Sequence, residues 1–143
     1  MNVVSLLTPK IQVVYLYEDY TIQKSLMILR ENGYTAVPVL SRDGQYVGTV
    51  SEGDFLWHFL DREDDSLRVQ ERKLLKEVLR PNFNPPVSVR VGMESLLERA
   101  MGQNFVPVVD DRGAFMGIVT RRTILRKLTV PSHACVEAAA VLD

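Results

Sequence analysis

The chain carries the same segment twice. Val37-Pro38-Val39 returns as Val106-Pro107-Val108, Gly44 as Gly113, Gly48 as Gly117, Val50 as Val119 and Leu56 as Leu125, all at one spacing of 69 residues. Seven of the 20 positions from 37 to 56 are identical in the second copy. Leu40/Val109, Tyr46/Phe115, Val47/Met116, Ser51/Thr120 and Phe55/Ile124 keep their character. In a chain of only 143 residues, such a repeat restricts the fold to two copies of one supersecondary unit. The expected division is a first copy over 1–60, a charged helical linker over 61–80, a second copy over 81–128 and a tail over 129–143.

Within the first copy, residues 11–17 are apolar, β-branched and aromatic, which predicts a strand. Thr21 offers a cap, Ile22, Leu26 and Leu29 fall at helical spacing, and Asn32-Gly33 ends the helix. Residues 35–40 and 45–50 read as two strands of a hairpin around the turn Ser41-Arg42-Asp43-Gly44. Ser51 then caps a second helix, with Asp54 three residues on completing a capping box. The second copy repeats the order, with a first helix over 93–101 expected to be about one turn shorter. Each unit is therefore β-α-β-β-α, and the class is α+β.

Twelve of the 20 residues from 61 to 80 are charged, six of each sign, the pattern of a solvated helix laced with ion pairs. Its Leu67, Leu74, Leu75 and Val78 form the expected contact face. The tail contains Val136-Glu137-Ala138-Ala139-Ala140, suited to a short helix.

A strand–turn–helix corner leaves helix N–H groups pointing outward at the positive end of the dipole, where anions are favoured. In the first copy that corner is Ser51-Glu52-Gly53-Asp54: a hydroxyl, a glycine that permits close approach, and a carboxylate suited to the paired hydroxyls of a ribose. In the second copy it is Thr120-Arg121-Arg122-Thr123, where two guanidiniums suit phosphate. From 112 to 127 there are five basic residues and no acidic one, in a chain of net charge −1. That near-neutral balance excludes a global field for nucleic acid.

No apolar run approaches the ~18 residues of a membrane span, and the N-terminus lacks a secretory pattern. The lone Cys135 excludes an internal disulfide and a multi-cysteine zinc site. These features predict a cytoplasmic protein with no nucleic-acid or membrane partner. Catalytic signals are weak: there is no Walker loop, dinucleotide fingerprint or nucleophile elbow. His58 follows Asp54 by one turn, but a histidine there is ordinarily structural, and His133 and Cys135 lie in the tail. Trp57 and Phe59 read as core or dimer-contact residues.

Taken together, Tyr34-Thr35-Ala36-Val37-Pro38-Val39, the Gly44/Gly48 hairpin and Ser51-Glu52-Gly53-Asp54, with their counterparts Asn104-Phe105-Val106-Pro107-Val108 and Thr120-Arg121-Arg122-Thr123, resemble tandem CBS domains, the Bateman module. The resemblance covers about residues 1–128. It implies two units packed through their sheets with pseudo-two-fold symmetry, a disc-shaped homodimer, and two clefts for adenine nucleotides. One cleft would join Gln12, Val13, Val14, Thr35 and Ala36 to Thr120, Arg121, Arg122 and Thr123. The other would join Val87, Asn104, Phe105 and Pro107 to Ser51, Gly53 and Asp54. Tyr34-Thr35-Ala36 with Thr120-Arg121-Arg122 is further similar to stand-alone CBS-pair receptors for cyclic di-AMP in Gram-positive bacteria. This chain has Gln12 where those receptors imply a basic residue, and Thr123 where a ribose-binding Asp would stand. The implied function is a non-enzymatic sensor without a required cofactor, binding cyclic di-AMP and signalling to an unidentified regulated protein. The alternatives are an AMP or ATP energy sensor and a ligand-free scaffold whose clefts are plugged by Phe105 or Tyr34.

Overall fold

A computed structural model of the protein describes residues 2–129. The chain opens with α1 (Val3–Leu6) and β1 (Thr8–Pro9). The first copy follows as β2 (Leu16–Tyr17), α2 (Ile22–Asn32), β3 (Ala36–Leu40), β4 (Tyr46–Ser51) and α3 (Glu52–Asp61). After α4 (Leu67–Glu71) and a 3₁₀ turn (Leu75–Glu77), the second copy runs β5 (Val87–Ser88), α5 (Met93–Gly102), β6 (Phe105–Val109), β7 (Phe115–Thr120) and α6 (Arg121–Thr129). The fold is α+β with two β-α-β-β-α repeats.

Local chemistry sets the element ends. Thr21 accepts the Lys24 N–H at the start of α2, and Gly33, at φ 69°, closes the helix in the left-handed conformation. Ser51 and Asp54 form both halves of the capping box of α3. In each copy the first strand is parallel to the second and the second antiparallel to the third. The registers Ala36↔Ser51 and Phe105↔Thr120 correspond, and so do the irregularities after Val39 and Val108.

Three sequence expectations are corrected. Residues 11–17 are not one strand: a 3₁₀ turn (Lys10–Gln12) precedes β2, because the Val13 N–H closes back on the Lys10 carbonyl at 3.0 Å. Helix α5 is one residue shorter than α2, ten against eleven, rather than a turn. The segment 61–80 is two short turns, not one solvated helix: Leu67 is exposed, but Leu75 and Val78 are buried in the first copy's core. The tail, with His133 and Cys135, lies outside the described residues.

The cores are cross-connected. Val3 and Leu6 of α1 pack with Leu96, Val106, Val108, Val119 and Ile124 of the second copy. Leu75 and Val78, which precede the second copy in sequence, pack with Leu16, Ile22, Val37, Val39 and Phe55 of the first. Strand β1 joins the second copy's sheet, whose order is β1-β7-β6-β5, while β2-β3-β4 stands as the other sheet. Opposite Pro9 sits Gly117, at φ 150°, where an added Cβ would lie 2.1 Å from the Thr8 carbonyl oxygen. Only glycine allows β1 this close. Its counterpart Gly48 faces only the Leu79 methyls, at 3.6 Å.

The two hairpins meet at their tips. The Phe115 N–H donates to the Gly44 carbonyl at 2.9 Å, and the Tyr46 N–H to the Gly113 carbonyl at 3.2 Å. The rings of Tyr46 and Phe115, equivalent in the repeat, stack with centroids 6.2 Å apart. A local two-fold relation between the copies is thereby fixed by backbone bonds. Among the described residues, no helix is long and apolar enough to cross a membrane.

Candidate functional site

Two clefts lie between the copies and share a wall made by Ala36, Asn104 and Phe105. The first has a volume of about 340 Å³ and is lined by Thr8, Gln12, Val13, Val14, Tyr34, Ala36, Val37, Pro38, Asn104, Phe105, Ile118, Thr120 and Arg122. Here the segment before β2, the entry to β3 and the start of α6 converge. Thr120 accepts the Thr123 N–H at 3.1 Å, and its hydroxyl donates to the Thr123 hydroxyl at 2.9 Å. The corner thus repeats the capping geometry of Ser51 and Asp54 without a carboxylate.

Six of the nine residues expected in this cleft line it: Gln12, Val13, Val14, Ala36, Thr120 and Arg122. Thr35, Arg121 and Thr123 do not. The Thr35 carbonyl accepts the Glu52 N–H at 2.9 Å, tying β3 to the other corner. Thr123 is held by Thr120 as described. Arg121 turns away: its Nε donates to the Ala100 carbonyl at 2.8 Å, Nη2 to the Met101 carbonyl at 3.0 Å and Nη1 to Asn104 Oδ1 at 3.1 Å. It satisfies orphan carbonyls at the end of α5, where a cation is favoured. The two neighbouring arginines therefore have different work, one at the cleft and one in the scaffold.

The second cleft, about 350 Å³, is lined by Ala36, Thr49, Phe83, Asn84, Pro85, Gly102, Gln103, Asn104 and Phe105. Of the residues expected there, only Asn104 and Phe105 are present. Val87 and Pro107 are buried in the second copy's sheet. Ser51, Gly53 and Asp54 are separated from the cleft. The Asp54 carboxylate, with its side chain 4% exposed, accepts from the Ser51 N–H at 2.8 Å and the Ser51 hydroxyl at 3.0 Å, and pairs with Arg80 at 2.5 Å. The sequence reading missed Arg80, which looks like one more charge of the linker.

The wall of the second cleft is a buried polar network. The Tyr46 hydroxyl donates to the Asn84 carbonyl at 2.7 Å and lies 2.7 Å from the Thr49 hydroxyl. The Asn84 amide donates to that same Thr49 hydroxyl at 3.1 Å. Burial pushes the Tyr46 phenol up to about 12. Asn82 and Asn84 hold φ of 57° and 58°, a left-handed conformation that asparagine tolerates better than most residues. Neither Tyr34 nor Phe105 plugs a cleft; both stand in the walls.

His58 is 5% exposed, and its Nε2 has no hydrogen-bond partner among the described residues. Burial holds its imidazole below the usual value, and Arg62 and Lys73 act in the same direction. Of its neighbours, Trp57 is 62% exposed, while Phe59 packs against the first core. Among the described residues, no cluster of three or more His, Cys, Asp or Glu is placed to hold a metal ion.

Residues 4–61 and 75–130 match the CBS domain family model. The chain belongs to the CBS domain family. Over 123 residues it is 27% identical to cyclic di-AMP receptor B of Bacillus subtilis (strain 168), spanning 82% of this CBS pair and 79% of that relative. The fold is similar to that of CbpB in complex with c-di-AMP, with a TM-score of 0.83 at 20% identity, over 100% of this chain and 91% of that one. It is also similar to the Listeria monocytogenes CbpB protein in complex with c-di-AMP, with a TM-score of 0.78 at 23% identity, over 87% and 92% of the two chains. At these identities the two structural likenesses speak for the fold, and the curated relative speaks for kinship.

Proposed function

We propose that this CBS pair is a non-enzymatic, cytoplasmic sensor that binds cyclic di-AMP in the first cleft and regulates a partner protein. The observation that carries this reading is the meeting of an apolar wall with Arg122 at the N-terminus of α6 in one open cleft. Val13, Val14 and Ala36 offer a surface for a planar base, with backbone groups beside it for hydrogen bonds. The guanidinium and the helix dipole favour phosphate. Thr123 supplies no carboxylate, so the corner makes no demand for a ribose with two free hydroxyls. A 3′,5′-linked cyclic dinucleotide has no such pair, whereas AMP and ATP do. The kinship with cyclic di-AMP receptor B supports the same ligand class.

The competing ligands are AMP and ATP, and the competing role is a ligand-free scaffold. Calorimetric titration separates them. Cyclic di-AMP is expected to bind the wild-type protein, with R122A weakening it at least tenfold. Binding of AMP or ATP alone would replace the ligand, and no binding of any of the three would support the scaffold.

Signalling further requires that the ligand favour one arrangement of the protein over another. The reading includes a homodimer, for which the apolar side chains Leu56, Trp57 and Leu60 on α3 and Met27 on α2 are exposed. Sedimentation of the W57A/L60A double variant as a smaller species than wild type would support that surface, and an unchanged mass would reject it.

A further inference from the structure

The two clefts have equivalent parts, but only one keeps its helix corner. At a spacing of 71 residues, Gln12, Val13 and Val14 correspond to Phe83, Asn84 and Pro85, and each trio lines its own cleft. At 69, Thr120 and Arg122 correspond to Ser51 and Gly53. The first pair lines the first cleft; the second pair is missing from the second. Arg80 stands between. Its guanidinium lies 3.5 Å from the centroid of the Phe83 ring, and its Nε is 2.5 Å from Asp54 Oδ1. Its Nη2 donates to Oδ2 at 3.4 Å, the oxygen already accepting from Ser51.

Asp54 is thus fully engaged, its charge matched and its acceptors occupied. The counterpart of Arg80 at a spacing of 71 is Pro9, fixed in β1 and without a side chain able to reach a carboxylate. The counterpart of Asp54 is Thr123, which would give a guanidinium no charge to hold. Latch and catch are therefore both confined to the first copy's corner, beside the second cleft, whose wall residue Phe83 the latch covers.

We propose that Arg80 is a latch that closes the Ser51–Asp54 corner against ribose hydroxyls, so that each chain takes a single nucleotide, in the first cleft. A ribose reaching Asp54 must displace a guanidinium held by a carboxylate on one side and an aromatic ring on the other. The Arg80 side chain is 50% exposed, so its removal leaves the cores untouched. The single-nucleotide part rests on the reading of the first cleft as a nucleotide site; the latch itself does not.

The test is calorimetric titration of full-length wild type, R80A, R80M and R80M/D54N with AMP, a nucleotide that carries both ribose hydroxyls, and with cyclic di-AMP. Methionine keeps an apolar stem over Phe83 without the charge, and melting curves check that each variant is folded. Wild type is expected to bind no more than one equivalent of nucleotide per chain. R80A and R80M are expected to gain an AMP site at least tenfold tighter than any second site in wild type, and R80M/D54N to lose that gain. Two equivalents of AMP on wild type would overturn the latch, and so would folded R80A and R80M that gain nothing. A second site in wild type that R80A weakens would make Arg80 a ligand contact and also overturn it. If wild type ignores cyclic di-AMP while R80M still gains an Asp54-dependent AMP site, the sensor reading fails and the latch stands.

Discussion

The two copies share a backbone plan down to strand register, yet their helix corners differ in what occupies them. In the second copy, Thr120 and Arg122 open onto a cleft, while Arg121 is turned back to the end of α5. In the first copy, the corner is closed by its own carboxylate and by Arg80. Repetition preserves the shape of an anion-binding corner but not its availability. A corner must be judged by which side chains already use its groups.

The largest expected effect comes from the glycines that differ most between the copies. G117A puts a Cβ against the Thr8 carbonyl at a positive φ and is expected to destabilise the fold by about 3 kcal/mol or more. G48A meets only methyl groups and should cost less than about 1 kcal/mol. Urea unfolding midpoints measure both; equal losses would show that the passage of β1 is not what makes Gly117 special.

Next comes the division between the arginines. R122A should weaken cyclic di-AMP by about 1.5–3 kcal/mol. R121A should instead lower stability by about 1–2 kcal/mol, because the carbonyls of Ala100 and Met101 lose their donor. If R121A abolished binding at unchanged stability, the orientation of its guanidinium would be wrong.

A pH difference between the copies is expected to be smaller. His58 is replaced by Lys127 at the spacing of 69, so the buried imidazole belongs to the first copy alone. Its folded pKa lies below the unfolded value of about 6.5, so the neutral form suits the fold. The stability it contributes is present above about pH 6.5 and is lost as pH falls through the lowered folded value. Hydrogen exchange should show α3 loosening at pH 5.5 relative to pH 7.5, and H58Q should flatten that difference. An equal loosening of α6 would assign it elsewhere.

The smallest effect concerns Tyr46 and its partner in the stack, Phe115. Ultraviolet titration should show one tyrosine ionising only near 12, a transition missing from Y46F. Its persistence in Y46F would remove Tyr46 from the buried network.

Much of the fold was legible because it is local chemistry. Thr21, Gly33 and the Ser51–Asp54 box declare helix ends within a few residues of themselves, and the hairpins repeat turn and strand signals at fixed spacing. Illegible were features that depend on distant neighbours. Two-residue β1 carries no periodicity and exists only because β7 lies beside it. In the first cleft, Gln12, Val13, Val14, Ala36, Thr120 and Arg122 come together, a pairing of halves that the resemblance to CBS pairs implied and the spacing of the repeat did not. The orientation of Arg121 depends on the end of α5, some 20 residues away in sequence. Arg80 was hidden by a change of register: the copies align at 69 through the hairpins but at 71 before them, so the residue facing Asp54 has no obvious twin.

The crossed packing of the cores has a consequence for how the chain comes apart. The segment that completes each half is threaded from ahead of the other, so neither half is self-sufficient when excised. A cut between 61 and 74 would yield fragments that each expose an unfilled core and that regain structure only by recombining. The intact chain is therefore expected to melt in one transition rather than two, and a ligand bound at the seam would stabilise both halves together.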